Sequence, residues 1–486
     1  MTRSKECIST QPTPKGANSY EGAPAPDFCP PQHKPNKKQT MQHSTNLIQT
    51  TTQQLTPKNL LGILALLFFT IQPWDRHLAD ALWLLLSLSS LCYVAQKKYL
   101  GHNFNTPKPL KALLWLCTLM PLVSILSYLA SPLDTLTPKL LEPDTRWLLI
   151  IPIILALRDT QIGPKWVLLL ITSYAISTFI SATIETNYLT NLARRANGDE
   201  NAVPYGMFNA TIALMLLTFF ISPYIKQKAN HNNKNKIILT RALLLIIFSL
   251  AITSAFLSGT RAAILVLPIV ITLLYAMHYS FKKSLIGLTL LLGLGSIFIG
   301  SQSESAFVKR LITAPAKVTS YFVKNDRSSK LRNQRLEQWK ESWCIFTLHP
   351  ILGTGPRTFK HAHQSYGGED YCNATQALKQ GSYQAHSVYF NTLGTLGMAG
   401  ILASLLLSLT LLRTGINALK QNNNTVKLGG SLLITVIACH AVNGITLDLW
   451  FMNHVMDKNL MVLALPLLLI YHRKHPSPRR SLLASD

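Results

Sequence analysis

What most constrains this chain is the recurrence of apolar runs about 20 residues long. A helix rises ~1.5 Å per residue, so ~20 residues cross the ~30 Å hydrocarbon core of a bilayer. In that solvent every backbone N–H and C=O must be paired, which leaves helices and closed barrels as spanning structures. Barrel strands alternate apolar and polar residues, whereas these runs are unbroken. Twelve can be marked, at about 59–72, 77–95, 111–130, 146–157, 165–184, 204–224, 237–257, 262–280, 284–300, 387–412, 428–447 and 458–471. The run at 146–157 is short for a crossing and carries Pro152. The pattern predicts an all-α polytopic membrane protein with about 12 transmembrane helices and one large loop containing helices. Only 14% of the residues are charged, against roughly 25% in soluble domains, so a soluble enzyme with a single core is excluded.

Residues 1–57 are rich in Pro, Gln, Thr and Lys and have no apolar stretch or cleavage-site pattern. They read as a disordered cytoplasmic tail rather than a signal peptide. Basic residues in short loops set the orientation. Lys97, Lys98, Lys108 and Lys111 share one loop, Lys226, Lys228, Lys234, Lys236 and Arg241 another, and Lys282 and Lys283 a third. With Arg413, Lys420, Lys427 and the basic tail 472–486, all fall on one side if both termini are cytoplasmic. This organisation gives spans 1–9 over 58–300, an outer loop over 301–385 and spans 10–12 over 386–471. The net charge of +25 then reflects topology and is no sign of a nucleic-acid partner.

The expected outer face is uneven. The loop 301–385 carries 12 Lys/Arg and 6 Asp/Glu, and long polar loops inside compact proteins are usually functional. Arg194 and Arg195 also fall outside, as does Arg261 at the tip of Ser258-Gly259-Thr260-Arg261. Guanidinium groups stay protonated and clamp phosphate oxygens through a planar fork. Near lipid, where the dielectric is low, they would also stabilise a pyrophosphate leaving group as its charge develops.

His386 directly follows the loop and opens a long apolar run. An ordinary pKa near ~6.5 suits it to proton transfer, but the same position suits an interfacial or capping histidine. Within the loop, Trp339, Trp343 and Phe346 recur at helical spacing. Pro350, Gly353 and Gly355 then force a turn, and the glycines could also let backbone approach a ligand. His361, His363, Glu369 and Asp370 could supply metal ligands, although a flexible polar loop explains them equally. A transporter would place charges and broken helices at the membrane midplane, whereas here charge gathers at one face.

Four elements in order resemble the O-antigen ligase and polymerase superfamily of bacterial inner-membrane glycosyltransferases. They are Arg195-x-x-Gly198 before a span, Ser-Gly-Thr-Arg261 between two spans, Arg335-x-x-x-Trp339 leading to His349-Pro-x-x-Gly353-x-Gly355, and His386-Ser-x9-Gly397-x-x-Gly400. The resemblance covers roughly 59–471 and is strongest to the lipopolysaccharide O-antigen ligases. It implies a donor glycan on undecaprenyl pyrophosphate, a lipid A–core acceptor and a catalytic face in the periplasm, with no cofactor or metal. His386 would take the acceptor proton, Arg261 and Arg335 would bind the pyrophosphate, and Arg195 or its neighbour Arg194 would hold the donor, with Gly353 and Gly355 in the substrate-binding loop. A polymerase or a protein O-oligosaccharyltransferase of the same superfamily is the alternative. Two departures stand out: Ser387 replaces a commoner Asn, and Arg357 makes the glycine loop more basic than usual.

Of seven cysteines, Cys344 and Cys372 are the two expected in the outer loop. The periplasm is oxidising, so they are the pair placed to bridge, with two free thiols as the alternative.

Overall fold

A computed structural model describes residues 57–472, except 103, 105, 134–135, 161, 187–194, 199–200, 226–233, 280–281, 283–288, 290–333, 367–371, 373–383 and 449–452. In chain order the helices are α1 (Pro57–Ile71), α2 (Arg76–Tyr99), α3 (Lys108–Cys117), α4 (Leu119–Leu129), α5 (Glu142–Asp159), α6 (Pro164–Thr186) and α7 (Ala202–Ile221). They continue with α8 (Lys234–Leu257), α9 (Arg261–His278), α10 (Gln334–Leu348), α11 (Phe359–Tyr366), α12 (Val388–Leu419), α13 (Asn424–Gly444) and α14 (Asn453–Ile470). The protein is an all-α polytopic membrane protein, and no strand occurs among the described residues. Among the described residues, eight helical stretches are long and apolar enough to cross a membrane, namely α2, α3 with α4, α6, α7, α8, α9, α12 and α13.

The boundaries refine the sequence reading. The run read as 146–157 belongs to an 18-residue helix, α5, which Pro152 does not stop. The run at 111–130 is divided at Thr118 into α3 and α4. The expected spans at 59–72 and 458–471 form helices α1 and α14, which are not among those eight. The expected tail 1–57 and span 284–300 lie outside the described residues, apart from Pro57 and Thr289. The outer loop 301–385 and the basic tail 472–486 are described in part.

Several starts are fixed by side-chain caps, which satisfy N–H groups that have no partner inside the helix. Asp75 accepts from the N–H groups of His77 and Leu78 at the start of α2. Asn201 does this for Val203 in α7, and Asn423 for Thr425 in α13. α7 is apolar around its whole circumference and is accordingly the most enclosed span. It is packed by α6, α8, α9 and α13. An aromatic cluster of Phe68, Phe69, Trp83, Tyr174 and Phe208 joins α1, α2, α6 and α7.

The feature that positions the site is a break in α12. Gly397 adopts φ 62°, ψ −157°, so the helix loses its ladder there. The chain after α10 fills the gap. Met398 N–H donates to Pro350 O at 2.9 Å and Ala399 N–H to Ile351 O at 3.1 Å. In return, Gly355 N–H donates to Thr395 O at 2.9 Å and Thr354 N–H to Gly394 O at 3.3 Å. Irregular backbone at such a place persists only when other protein satisfies it. The glycines permit the approach. A Cβ on Gly353 would lie 2.4 Å from the Thr395 carbonyl, and one on Gly397 would lie 2.6 Å from Ile351 O.

Charge also enters the helices further than the sequence reading expected. Asp457 and Lys458, in the second turn of α14, are 0% and 1% exposed. Asp457 pairs with Arg146 of α5, which lies 3.2 Å from Glu142 and 3.8 Å from Asp80. These groups sit at the α14, α5 and α2 ends that meet, so the charge stays off the bundle's midplane.

Cys344 of α10 and Cys372 are bridged, with Cα atoms 5.8 Å apart across 28 residues of sequence. The bridge returns the chain after α11 to the helix that carries Arg335.

Two outcomes follow. Gly353→Ala, which adds both a positive-φ penalty and a backbone clash, should destabilise the protein by more than ~1 kcal/mol, seen as a lowered Tm in detergent. Unfolded protein should show label on Cys344 and Cys372 only after reduction, and labelling without reductant would exclude the bridge.

Candidate functional site

The ends of α6, α8 and α13 and the starts of α7, α9, α10 and α12 meet at one end of the bundle. Arg195 lies just before α7, on the tight turn between α8 and α9. Its Nε donates to Ser258 O at 2.7 Å, and its Nη2 lies 3.5 Å from Thr260 Oγ1. Gly259, at φ 61°, leaves room for this guanidinium, because a Cβ there would sit 3.2 Å from Arg195 Nε. Ala196 N–H donates to Leu257 O at 3.0 Å, and Thr260 Oγ1 to Ala202 O at 2.8 Å. Glu185 accepts from the N–H groups of Asn197 and Gly198 at 2.8 and 3.0 Å. The whole Arg195–Gly198 element is thereby fastened to the turn that ends in Arg261.

Arg261 begins α9 and is exposed. Arg335 lies in the first turn of α10 and is partly buried. Burial, and then the charge of Arg261, lower its pKa below the usual guanidinium value. The two cations are therefore close enough to repel, an arrangement that favours an anion between them.

His386 stands just before α12, half-buried, at φ 51°. A left-handed conformation at a non-glycine residue costs on the order of 1–3 kcal/mol and persists only where the surroundings hold it. They do so on both sides. Trp339 Nε1 donates to Ala385 O at 3.1 Å, and its ring stacks on Phe390 with centroids 5.0 Å apart. Asn391 Oδ1 accepts from Ala385 N–H at 3.4 Å, while Asn391 Nδ2 donates to Asp448 at 2.6 Å. Ser387 Oγ donates to Gly444 O at 3.2 Å. Burial, and then the charge of Arg335, push the His386 pKa below the ordinary histidine value. One helix, α10, thus presents Arg335 to the imidazole and Trp339, one turn on, to the carbonyl preceding it.

The structure brings His386, Arg335, Arg261 and Arg195 to one end of the bundle. Arg194 lies outside the described residues. Gly353 and Gly355 approach the protein's own chain: Gly353 meets α12, and a Cβ on Gly355 would lie 3.0 Å from Thr358 Cγ2. Arg357, expected to make the glycine loop more basic, is held in an ion pair. It donates to both Asp144 oxygens at 2.8 and 3.1 Å and to Leu140 O at 3.0 Å. Asp144 also accepts from Ser124 Oγ at 2.8 Å.

Of the side chains considered for a metal, His363 is bonded through Nδ1 to Glu341 at 2.5 Å. Burial raises the Glu341 pKa and outweighs the pull of His363. Glu369 and Asp370 lie outside the described residues, among which no cluster of three metal-type ligands occurs. Sequence reading missed Asn391 and Asp448. They are 57 residues apart, and no local pattern links them.

The described residues thus gather arginines beside a pinned histidine at one end of a helical membrane protein, chemistry that suits an anionic ligand. Residues 244–405 match the O-antigen ligase family, a stretch that includes Arg261, Arg335 and His386. This match over a third of the chain supports a glycan-transferring membrane enzyme of the ligase and polymerase superfamily. An uncharacterized protein of Haemophilus influenzae is similar to it, with 26% identity over 305 residues, 62% of this chain and 72% of its own length.

The electrostatics make a direct prediction. Diethyl pyrocarbonate acylates neutral imidazole, so its rate at His386 should fall with acidification through a midpoint below ~6.5. Arg335→Gln should move that midpoint upward. An unchanged midpoint would separate the two residues.

Proposed function

We propose that this protein transfers an O-antigen glycan from undecaprenyl pyrophosphate to lipid A–core at the periplasmic face of the inner membrane, without a metal. The observation that supports this best is the pairing of a neutral-leaning His386 with Arg335, itself within the field of Arg261. A base must be unprotonated to act, and a pyrophosphate leaving group must be neutralised as it departs. The arrangement offers both functions side by side. The periplasmic assignment rests on the basic loops at the opposite end, which favour the cytoplasm.

In the reaction, an acceptor hydroxyl oxygen attacks the anomeric carbon of the donor sugar. Its proton passes to the His386 imidazole as the new C–O bond forms. The bond from the anomeric carbon to the pyrophosphate oxygen breaks, and its electron pair leaves with that oxygen. Arg261 and Arg335 take up the developing charge, while Arg195 holds the donor against the 258–260 turn. Attack in line with the departing group inverts the anomeric configuration. Asn391, Asp448 and Trp339 position the histidine. Gly353 and Gly355 contribute by docking the loop onto α12.

Purified protein reconstituted with lipid-linked glycan and lipid A–core tests this reading. His386→Ala should lower transfer by ~10²–10⁴-fold, the usual share of a general base, while the protein still inserts. Arg261→Lys and Arg335→Lys should each be severely impaired, because lysine keeps the charge and loses the fork. Transfer should persist in excess chelator. Full activity in the lysine variants, or loss in chelator restored by one divalent metal, would overturn the proposal. If the same protein instead joins two carrier-linked glycans, the acceptor is a polymerase's.

A further inference from the structure

Beside His386, on the face of α12 away from the arginines, runs a cavity of about 340 Å³. Its lining follows α12 from Val388 to Leu411, a length on the order of 30 Å at ~1.5 Å per residue. It is therefore long and narrow, at the small end of the ~300–1,000 Å³ typical of ligand sites. Met120, Trp147, Leu405, Leu411 and Leu463 give much of its lining an apolar surface. Ser404 and Ser408, one turn apart, keep it open along α12. His440 in the wall has both ring nitrogens engaged, with Val436 O at 2.7 Å and Asn459 Oδ1 at 3.0 Å. The wall is thus largely apolar.

The mouth differs in character from the arginine side. It is edged by Asp144, Arg357, Asn391 and Asp448, two carboxylates against one guanidinium that already pairs with Asp144. Carboxylates accept hydrogen bonds from hydroxyls and repel phosphates. None of the lining residues comes from α6 to α10, the elements that carry or adjoin Arg195, Arg261 and Arg335. Val388 and Tyr389, at the mouth, follow His386 by two and three residues.

We infer that this groove takes one hydrocarbon chain of the acceptor lipid, so that the acceptor's hydroxyl-rich headgroup is presented at the carboxylate-edged mouth beside His386. The inference rests on the proposed transfer reaction and adds to it a side: donor pyrophosphate on the arginine face, acceptor chain in the α12 groove. The chain passes from bilayer hydrocarbon to an apolar groove, so the groove selects by shape and packing rather than by a hydrophobic transfer, and the headgroup contacts align the hydroxyl.

The test uses the full-length protein in lipid nanodiscs. Ser404→Trp and Ser408→Trp block the groove, and Leu402→Trp, on the exposed face of α12 outside the groove, is the control. With intact lipid A–core, both blocked variants should raise the acceptor KM at least tenfold. The donor KM should stay unchanged, as should activity on a de-acylated core acceptor. The control should behave as the unmodified protein. A lipid A bearing a diazirine in an acyl chain should photolabel 401–411 in the unmodified protein and not in Ser408→Trp. An unchanged acceptor KM, a rise in the donor KM instead, or labelling that ignores the block would each overturn the inference. If the unmodified protein transfers nothing, the proposed function fails by itself, and the photolabelling arm still decides whether the groove holds an acyl chain.

Discussion

The docking of the 350–355 turn into the break of α12 is the constraint on which the rest of the site depends. A helix interrupted inside a membrane protein leaves N–H and C=O groups without partners, and each would be costly in hydrocarbon. Here the partners come from the chain that follows α10. The same bonds that satisfy Met398 and Ala399 fix the C-terminal end of α10 against α12. Trp339 extends the contact by donating to Ala385 O and stacking on Phe390. Arg335 and His386 therefore face each other because two helices share a repaired break. Gly353 and Gly397 are required because nothing larger fits where the two backbones meet.

The second organising feature is an asymmetry of charge about His386. On one side, Arg195, Arg261 and Arg335 cluster, with burial and mutual repulsion both acting on Arg335. On the other, Asp144 and Asp448 edge a largely apolar groove. Arg357 shows how local this division is. In sequence it adds to the basic character of the loop, and in the fold it is spent on Asp144. Electrostatic stabilisation of a leaving group needs donors aimed where charge develops, so keeping cations on one side and carboxylates on the other suits a reaction in which two substrates enter from different directions.

Much of this was legible in the sequence. Unbroken apolar runs declared a helical membrane protein, because hydrocarbon forces helices wherever such runs occur. Trp339, Trp343 and Phe346 declared α10 through their spacing, and compartment chemistry singled out Cys344 and Cys372, which are bridged. What remained hidden depends on contacts distant in sequence. Neither the break at Gly397 nor its repair by Pro350 and Ile351 has a local pattern, since a glycine in an apolar helix is usually tolerated. Asn391 and Asp448 are ordinary polar residues until folding places them 2.6 Å apart. Asp457 and Lys458 looked like a span boundary and are buried within α14, where pairing with Arg146 makes the position tolerable.

The central claim is that arginines bind the carrier pyrophosphate while His386 performs the proton transfer, so binding and chemistry should separate. The most direct measurement is the affinity for undecaprenyl pyrophosphate beside single-turnover transfer, in the same proteoliposomes, for His386→Ala and Arg335→Lys. The account predicts that His386→Ala keeps carrier affinity and loses the chemical step, while Arg335→Lys weakens both. Carrier affinity lost in His386→Ala, or retained together with fast transfer in Arg335→Lys, would contradict it.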